Sequence, residues 1–285
     1  MNIKQVILVG AATLALLGFF LFGKTKNTQK ITATPQQHAD HEQVFDIHQY
    51  LKLAKENLKS KDTLALIEAA EKTFKGLSAQ AERPAKQAAA EKLAALTAAA
   101  GDPLGSAYYY NQAAEIGNTA TLWHNSGENF LVLAGSVSAP TTQSYLFDAA
   151  INAFKNAADL EPKNLSHQIK LGTAYVEQGT NAMQGITLLL DAVKQDSTNV
   201  EAQFSLGKFS MVSGQFEKAI YRLEKVLHSQ PQNSEVLFLL AEAHKNTGNV
   251  AKAVEYLEKC KQYIDNEALK KEIDRYIEET KSIKK

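Results

Sequence analysis

The sequence predicts an all-α protein built from repeated helical hairpins that follow an N-terminal apolar segment. Three observations lead to this prediction. From residue 42 onward, apolar residues recur at spacings of three and four, which is the period of an amphipathic helix. No stretch alternates polar and apolar residues for long enough to form a sheet. Residues of the same kind also recur at a spacing of 34, which indicates that one helical unit is copied along the chain.

The composition of the 285-residue chain excludes several classes of protein. With 45% hydrophobic residues, the chain has enough apolar surface to bury a core, so it is not disordered as a whole. Its 31 Lys and Arg residues balance 31 Asp and Glu residues, so no net field attracts a polyanion and no nucleic-acid partner is expected. The one cysteine, Cys260, can form neither an internal disulfide nor a cysteine zinc site.

The chain begins with a charge-free apolar run at residues 6–22, with one lysine before it and three lysines shortly after it. Such a run makes about 25 Å of helix, which is the lower end of what crosses a bilayer. The alternative is a cleaved signal peptide. In signal peptides, small residues follow the apolar region closely, whereas the run in this chain ends in Phe-Leu-Phe-Gly-Lys. We therefore predict a single-pass transmembrane anchor at residues 1–23.

The orientation of this anchor decides where the rest of the protein lies. The lysines after the run oppose export under the positive-inside rule, whereas the very short N-terminal tail favours a cytoplasmic N terminus. We predict that the soluble part is exported to the periplasm or another extracytoplasmic space. A cytoplasmic location stays open as the alternative.

A linker and a helical pair separate the anchor from the repeats. Residues 24–41 are polar and rich in Thr and Gln, and their lack of helical period predicts a flexible linker. No metal site is expected at His38 and His41, because a flexible segment provides no outer shell to orient ligands. Residues 42–80 are predicted to form a helical pair, and the polar segment 264–285 a capping helix.

The repeat is visible as ladders of identical or similar residues. Pairs separated by 34 residues are Asn199 and Asn233, Leu206 and Leu240, Gly214 and Gly248, and Ala219 and Ala253. Small residues allow two antiparallel helices to approach to about 8–10 Å, and a glycine after the first helix tolerates the left-handed conformation that ends it. The ladders therefore predict closely packed helical hairpins.

These features resemble the tetratricopeptide repeat, a helix-turn-helix unit with the pattern W-x2-L-G-x2-Y followed by Ala, Phe, Ala and Pro. The first part of the pattern matches at Leu171, Gly172 and Tyr175, and the second part at Ala150, Phe154, Ala157 and Pro162. The resemblance implies a right-handed α-solenoid that binds protein or peptide partners.

The repeat array is predicted to run from residue 81 to residue 263. Its units are a degenerate one at 83–119, an interrupted one at 120–164, and clear ones at 165–199, 200–233 and 234–263. The interrupted unit has about eleven residues more than the family spacing between Gly127 and Ala150. This excess predicts a long loop, within residues 135–144, between its two helices.

In this family, the first helices line a concave groove at unit positions 2, 5, 9 and 12, which share one helical face. The candidate groove residues are Ser166, Ile169, Thr173 and Val176, then Glu201, Phe204, Lys208 and Met211, then Glu235, Phe238, Glu242 and Lys245. Ile169, Phe204 and Phe238 form an apolar row that predicts a seat for a helix or an extended peptide. Two alternatives stay open, namely that these side chains pack as core between first helices or that the C-terminal helix covers them.

The sequence carries no motif of a catalytic, nucleotide-binding or metal-binding site. We therefore expect neither an enzyme nor a cofactor nor a bound metal. His124, His167 and His244 fall on first helices of different units and are expected to lie too far apart to form one site. Some members of this family grip a C-terminal carboxylate with a Lys at position 5 and an Asn at position 9. In the three clear units, position 5 holds no Lys and position 9 holds no Asn.

The sequence thus predicts a membrane-anchored protein that binds a protein or peptide partner in its groove, as a scaffold or a chaperone-like assembly factor. The alternative is a self-associating structural subunit of an envelope complex, in which the partner is a second copy of the chain.

Overall fold

The structure is a computed structural model that describes residues 45–78 and 82–282. The predicted anchor at 1–23 and the predicted linker at 24–41 lie outside the described residues. Within the described part of the chain, every regular element is a helix, which confirms the all-α class for that part. No helix there is both long and apolar enough to span a membrane.

The described residues contain thirteen helices, numbered here in chain order. They are α1 Ile47–Glu56, α2 Lys61–Gly76, α3 Arg83–Ala99, α4 Pro103–Gly117, α5 Ala120–Ser136, α6 Pro140–Leu160, α7 Leu165–Gln178, α8 Ala182–Gln195, α9 Val200–Val212, α10 Phe216–Ser229, α11 Ser234–Asn246, α12 Val250–Gln262 and α13 Glu267–Ser282.

The helices from α3 to α12 pack as five successive hairpins. The most extensive contacts join α3 to α4, α5 to α6, α7 to α8, α9 to α10 and α11 to α12, and each hairpin packs on the next one. The first helices α7, α9 and α11 also contact one another in sequence order. This nearest-neighbour packing is that of a helical repeat solenoid. The unit boundaries drawn from the sequence and the handedness of the array stay predictions.

The asparagine and glycine ladders mark the two ends of the first helices. Asn164, Asn199 and Asn233 are the N-caps of α7, α9 and α11, and each side-chain oxygen accepts a hydrogen bond from a backbone N–H of the first turn. At the other end of α7, Gly179 has a φ of +84°, and the equivalent glycines of the next two hairpins are also left-handed. The same two residue types therefore start and stop every first helix in this part of the array.

The interrupted unit differs from its prediction. The expected long loop within 135–144 is absent, because α5 continues to Ser136 and α6 begins at Pro140. The additional residues lengthen the two helices to 17 and 21 residues, against 13 or 14 in the three later hairpins. A proline at the first helical position leaves no N–H without a partner, and its fixed φ suits the helix. Pro140 therefore begins α6 rather than marking a loop.

A polar cluster holds the N-terminal helices α1 and α2 on α4. Glu71 of α2 accepts hydrogen bonds from Lys55 Nζ at 2.9 and 2.8 Å and from the Tyr109 hydroxyl of α4 at 2.8 Å. The Tyr50 hydroxyl of α1 donates to Asp102, the N-cap of α4, at 2.8 Å. Because Glu71 is buried, the bonds from Lys55 and Tyr109 satisfy a carboxylate that water does not reach freely.

Candidate protein-binding face

The first helices α5, α7, α9 and α11 bring a row of polar and half-buried side chains onto one surface, which we call the first-helix face. Its members are His124, Glu128, Lys170, Thr173, Val176, Glu177, Glu201, Phe204, Ser205, Lys208 and Glu235. Hydrogen bonds and ion pairs connect most of them across neighbouring helices. The face is therefore a polar surface with a few apolar side chains, rather than an apolar strip.

Lys170 links three first helices. Its Nζ lies 2.9 Å from Glu128 Oε1 of α5 and 2.8 Å from Glu201 Oε1 of α9, and its side chain is only 22% exposed. Burial alone would lower the pKa of Lys170, but the two carboxylates outweigh burial and raise it. Lys170 is thus a charged group whose bonding capacity is used within the face itself.

A second set of contacts joins α7 to α9 further along the face. The hydroxyls of Thr173 and Ser205 lie 2.8 Å apart, and Lys208 Nζ lies 3.2 Å from Glu177 Oε1. The ammonium of Lys208 also sits 5.6 Å from the ring centre of Phe204, which is a cation–π distance.

Glu235 ends the charged row on α11. Burial raises the pKa of this carboxyl, the charge of Lys208 opposes the rise, and the charge of Glu177 adds to it. Burial and the charge of Glu177 therefore favour the neutral form of Glu235, and Lys208 supplies the positive charge that opposes them.

The predicted groove residues differ widely in exposure. Thr173, Val176, Phe204 and Lys208 are partly exposed, as expected for a face that meets a partner. Ile169 is 1% exposed and packs with Leu189, Leu206 and neighbouring residues between the hairpins. Phe238 is 5% exposed, and Met211 is also buried. For Ile169, Phe238 and Met211, the structure therefore favours the alternative that they belong to the core.

The C-terminal helix α13 occupies the groove positions of the third clear unit. Tyr276 lies with its ring centre 6.1 Å from that of Phe238, and its hydroxyl donates to the carboxylate of Glu242. Lys245 bonds to the same hydroxyl and sits 4.4 Å from the Tyr276 ring centre. Leu269, on the first turn of α13, is buried in the same core. The accessible part of the face therefore ends at the start of α11.

The structure corrects the expectation that the histidines lie far apart. His124 Nδ1 of α5 and His167 Nδ1 of α7 are 2.8 Å apart. Neighbouring first helices pack side by side, so residues 43 positions apart in sequence meet near the helix starts. His244 lies on α11, where its ring stacks on Tyr256 at 5.4 Å.

Several members of the face do not occupy the unit positions from which the groove was predicted. Lys170, Glu128 and Ser205 lie outside the candidate groove list, and they join the face through contacts between hairpins. A search for opposite charges that lie three or four unit positions apart on consecutive first helices would have found Lys170 with Glu128 and Glu201, because these helices are neighbours in the array.

Within the described residues, no group of three or more His, Cys, Asp or Glu side chains is placed to hold a metal ion. The two lysines of the face are both paired with its carboxylates, and four carboxylates stand against these two ammonium groups. This arrangement can bind a segment of a protein through charge and contact area, and it shows no nucleophile paired with a base.

Comparison with protein families assigns the C-terminal part of the array. Residues 211–269, from the end of α9 to the start of α13, match the family model described as tetratricopeptide repeat. This part of the chain is similar to tetratricopeptide repeats. The resemblance drawn from the residue ladders is thereby confirmed for this part of the chain. No curated protein matches the sequence significantly.

Solved structures extend this result to the fold. PilW, a widely conserved type IV pilus biogenesis factor, superposes with a TM-score of 0.54 at 18% identity, covering 68% of this chain and 85% of PilW. TTC0263, a thermophilic TPR protein of Thermus thermophilus, gives a TM-score of 0.50 at 17% identity, covering 69% of this chain and 100% of TTC0263. At these identities the likeness shows the shared tetratricopeptide-repeat fold, while function depends on the surface of this chain.

Proposed function

We propose that this chain is a non-enzymatic scaffold that holds a segment of another protein on its first-helix face. Tetratricopeptide repeats typically serve as interaction modules, and the face supplies half-exposed apolar side chains at Val176 and Phe204 beside charged groups. The role is that of a scaffold or an assembly factor.

The charge distribution of the face indicates the chemistry of the segment. Both Lys170 and Lys208 already contact carboxylates, so an acidic segment or a C-terminal carboxylate would find no unpaired lysine on this face. For Glu235, by contrast, the positive charge that lowers its pKa belongs to Lys208, which is already paired with Glu177. The observation that carries the proposal is this excess of carboxylates over paired lysines, which favours a basic segment with apolar residues.

A peptide-binding experiment tests this proposal. The full-length chain in detergent is titrated with two peptide libraries of equal length and equal apolar content, one rich in Lys and Arg and the other rich in Asp and Glu. We expect the basic library to bind and its affinity to fall as salt concentration rises. Preferential binding of the acidic library would contradict the proposal.

A matched pair of variants localises the binding. Glu235→Gln is expected to weaken binding of the selected basic peptide by up to about fivefold, which is the effect of one partly exposed charge pair. Glu217→Gln removes an exposed carboxylate on the second helix α10 and is the control, for which we expect unchanged affinity. Equal losses in the two variants would place the peptide away from the first-helix face.

The membrane anchor at residues 6–22 and the exported location of the repeats belong to the same proposal. They rest on the charge-free apolar run and on the short tail before it. Protease treatment of intact cells tests the location, since exported repeats are digested without lysis and cytoplasmic repeats are protected. Sedimentation of the full-length chain in detergent tests the alternative of self-association, for which a concentration-dependent mass is expected.

A further inference from the structure

His124 and His167 form a partly buried contact between two neighbouring repeats. Their Nδ1 atoms lie 2.8 Å apart, their ring centres 4.8 Å apart, and His167 is 5% exposed. The ring of Phe154, from α6, packs edge-on against His124 at 5.6 Å. The contact joins α5 to α7 at the start of the first-helix face, where it lies close to Lys170.

The hydrogen-bond partners determine which nitrogens carry protons. His167 Nε2 lies 3.1 Å from Glu161 Oε2, and an ionised carboxylate only accepts, so His167 carries its proton on Nε2. In the neutral ring, His167 Nδ1 is then an acceptor. His124 must therefore carry its proton on Nδ1 and donate it to His167, which leaves His124 Nε2 without a proton.

This arrangement responds differently to a first and a second proton. The first proton binds His124 Nε2, which lies 3.8 Å from Glu128 Oε1, and the contact between the two Nδ1 atoms survives. A second proton has to bind His167 Nδ1. Two N–H groups would then point at each other across 2.8 Å, and both rings would be charged in a site that is largely closed to water.

We propose that the His124–His167 contact is an acid-sensitive joint that opens the array between α5 and α7 when the second ring is protonated. The joint is independent of the proposed binding function, because it follows from the contact between the two helices alone. Opening separates Lys170 of α7 from Glu128 of α5 and so divides the first-helix face.

The charged groups around the pair come from every side. Glu128 lies on α5, Lys170 on α7, Glu201 on α9, and Glu161 in the turn between α6 and α7. Glu128, Glu161 and Glu201 favour protonation of the pair, whereas Lys170 opposes it. The carboxylates favour binding of the first proton. They do not remove the conflict between the two Nδ1–H groups that a second proton creates.

The pH window follows from the direction of the shift at His124. Burial lowers the pKa of His124, the charge of Glu128 opposes this, and His167 and Lys170 lower it further. The opened state therefore binds protons at a higher pH than the closed state. Stability of the joint is complete above about pH 6.5, the ordinary value for histidine. It begins to fall below that pH, because the opened state takes up the first proton more readily, and it falls further once a second proton brings the two N–H groups into conflict.

The tautomers provide the first test, on the unmodified full-length chain in detergent. Nitrogen chemical shifts of the imidazoles are expected to show His124 protonated on Nδ1 and His167 on Nε2 at pH 7.5. Two rings that both carry the proton on Nε2, or that titrate independently near pH 6.5, would overturn the proposal. This measurement needs no variant and no binding partner.

Hydrogen exchange provides the second test. Between pH 6.5 and pH 5, protection factors of amides in α5 and α7 are expected to fall by about tenfold per pH unit, since opening takes up about one proton. The double variant His124→Gln/His167→Gln is expected to abolish this slope. If that variant does not fold, the tautomer measurement alone decides the proposal.

His244 supplies the matched control. It is also buried, burial lowers its pKa, and its Nε2 has no hydrogen-bond partner. Protonation of His244 is therefore expected to reduce the stability of α11 and α12 at low pH. His244→Gln is expected to flatten the pH dependence of protection at α11 and α12 and to leave that of α5 and α7 unchanged. A variant that flattens α5 and α7 as well would show that acid unfolds the array as a whole, contrary to a local joint.

Discussion

Gly172 of α7 and Gly185 of α8 face each other at the closest approach of their hairpin. A Cβ on Gly185 would lie under 3.0 Å from the carbonyl oxygen of Gly172 and from side-chain atoms of Tyr175 and Val176. At the positions equivalent by the repeat spacing, the next hairpin has Gly207 and Ala219, and the one after that has Ala241 and Ala253. In the hairpin of α7 and α8, a Cβ on either glycine would thus meet the backbone oxygen of the other one, whereas a Cβ on Gly207 would meet side-chain atoms.

Gly185→Ala is expected to destabilise the protein by about 1–3 kcal/mol, because the new methyl group meets backbone rather than a movable side chain. The urea midpoint of the full-length chain measures the effect. Gly135→Ala is the control, since a Cβ at this helical position of α5 meets nothing within 4 Å. That variant is expected to be neutral or to stabilise by up to about 1 kcal/mol.

Phe204 and Phe238 occupy equivalent positions of consecutive repeats. Comparing the loss of stability in Phe238→Ala with that in Phe204→Ala tests which of the two side chains belongs to the core. Phe238 is 5% exposed and packs against α13, so its truncation is expected to cost about 3–5 kcal/mol. Phe204 is partly exposed and lies under Lys208, so its truncation is expected to cost about 1–2 kcal/mol. Urea unfolding compares the two variants, and a larger loss for Phe204 would contradict the assignment of Phe238 to the core.

The hairpins were predictable from the sequence because their signals are local. Asn164, Asn199 and Asn233 cap the first helices α7, α9 and α11, and a left-handed glycine follows each of these three helices. The boundaries of these first helices are therefore encoded locally. The length of α6 was not predictable from family spacing. A proline such as Pro140 can either interrupt or start a helix, and the family spacing does not distinguish these two outcomes.

The exposure of groove positions was not predictable, because it depends on how adjacent hairpins pack. Ile169 and Phe204 occupy the same unit position, yet one is closed in by its neighbours and the other is half-open. Phe238 is covered by a helix that has no counterpart in the other units. Contacts across units, such as that between His124 and His167, join residues whose sequence separation differs from the repeat length, so a ladder search does not show them.

Glu71→Gln is expected to loosen α1 from α2 and α4 and to lower the free energy of unfolding by about 2 kcal/mol. The reason is that an amide cannot replace a carboxylate that accepts hydrogen bonds from both Lys55 and Tyr109. Urea unfolding and hydrogen exchange of α1 measure the loss. Glu68→Gln, at an exposed position of the same helix, is the control with little expected effect.

The pH dependence of the Glu71 cluster has a definite sign. Burial raises the pKa of Glu71, but the bonds from Lys55 and Tyr109 and the charges of Lys55 and Lys75 outweigh burial and lower it. A carboxyl whose pKa is lower in the folded than in the unfolded state stabilises the folded state above about pH 4.3. That contribution is lost as the pH falls further. Protection of α1 in the unmodified chain is therefore expected to stay constant from pH 7 to pH 5 and to fall below pH 4. A fall already at pH 6 would contradict this prediction.

Lys170→Met tests whether one lysine holds three repeats together. The variant keeps most of the apolar stem but leaves Glu128 and Glu201 without their shared cation in a partly buried site, so a loss of about 2–3 kcal/mol is expected. Lys194→Met is the control, because its ion pair with Asp191 lies on an exposed helix surface where such pairs contribute less than about 1 kcal/mol. Raising the salt concentration screens the two freed carboxylates from each other, so part of the Lys170→Met loss is expected to be recovered in 1 M NaCl. Equal urea midpoints for the two variants would show that Lys170 lies among the carboxylates without stabilising the contact between α5, α7 and α9.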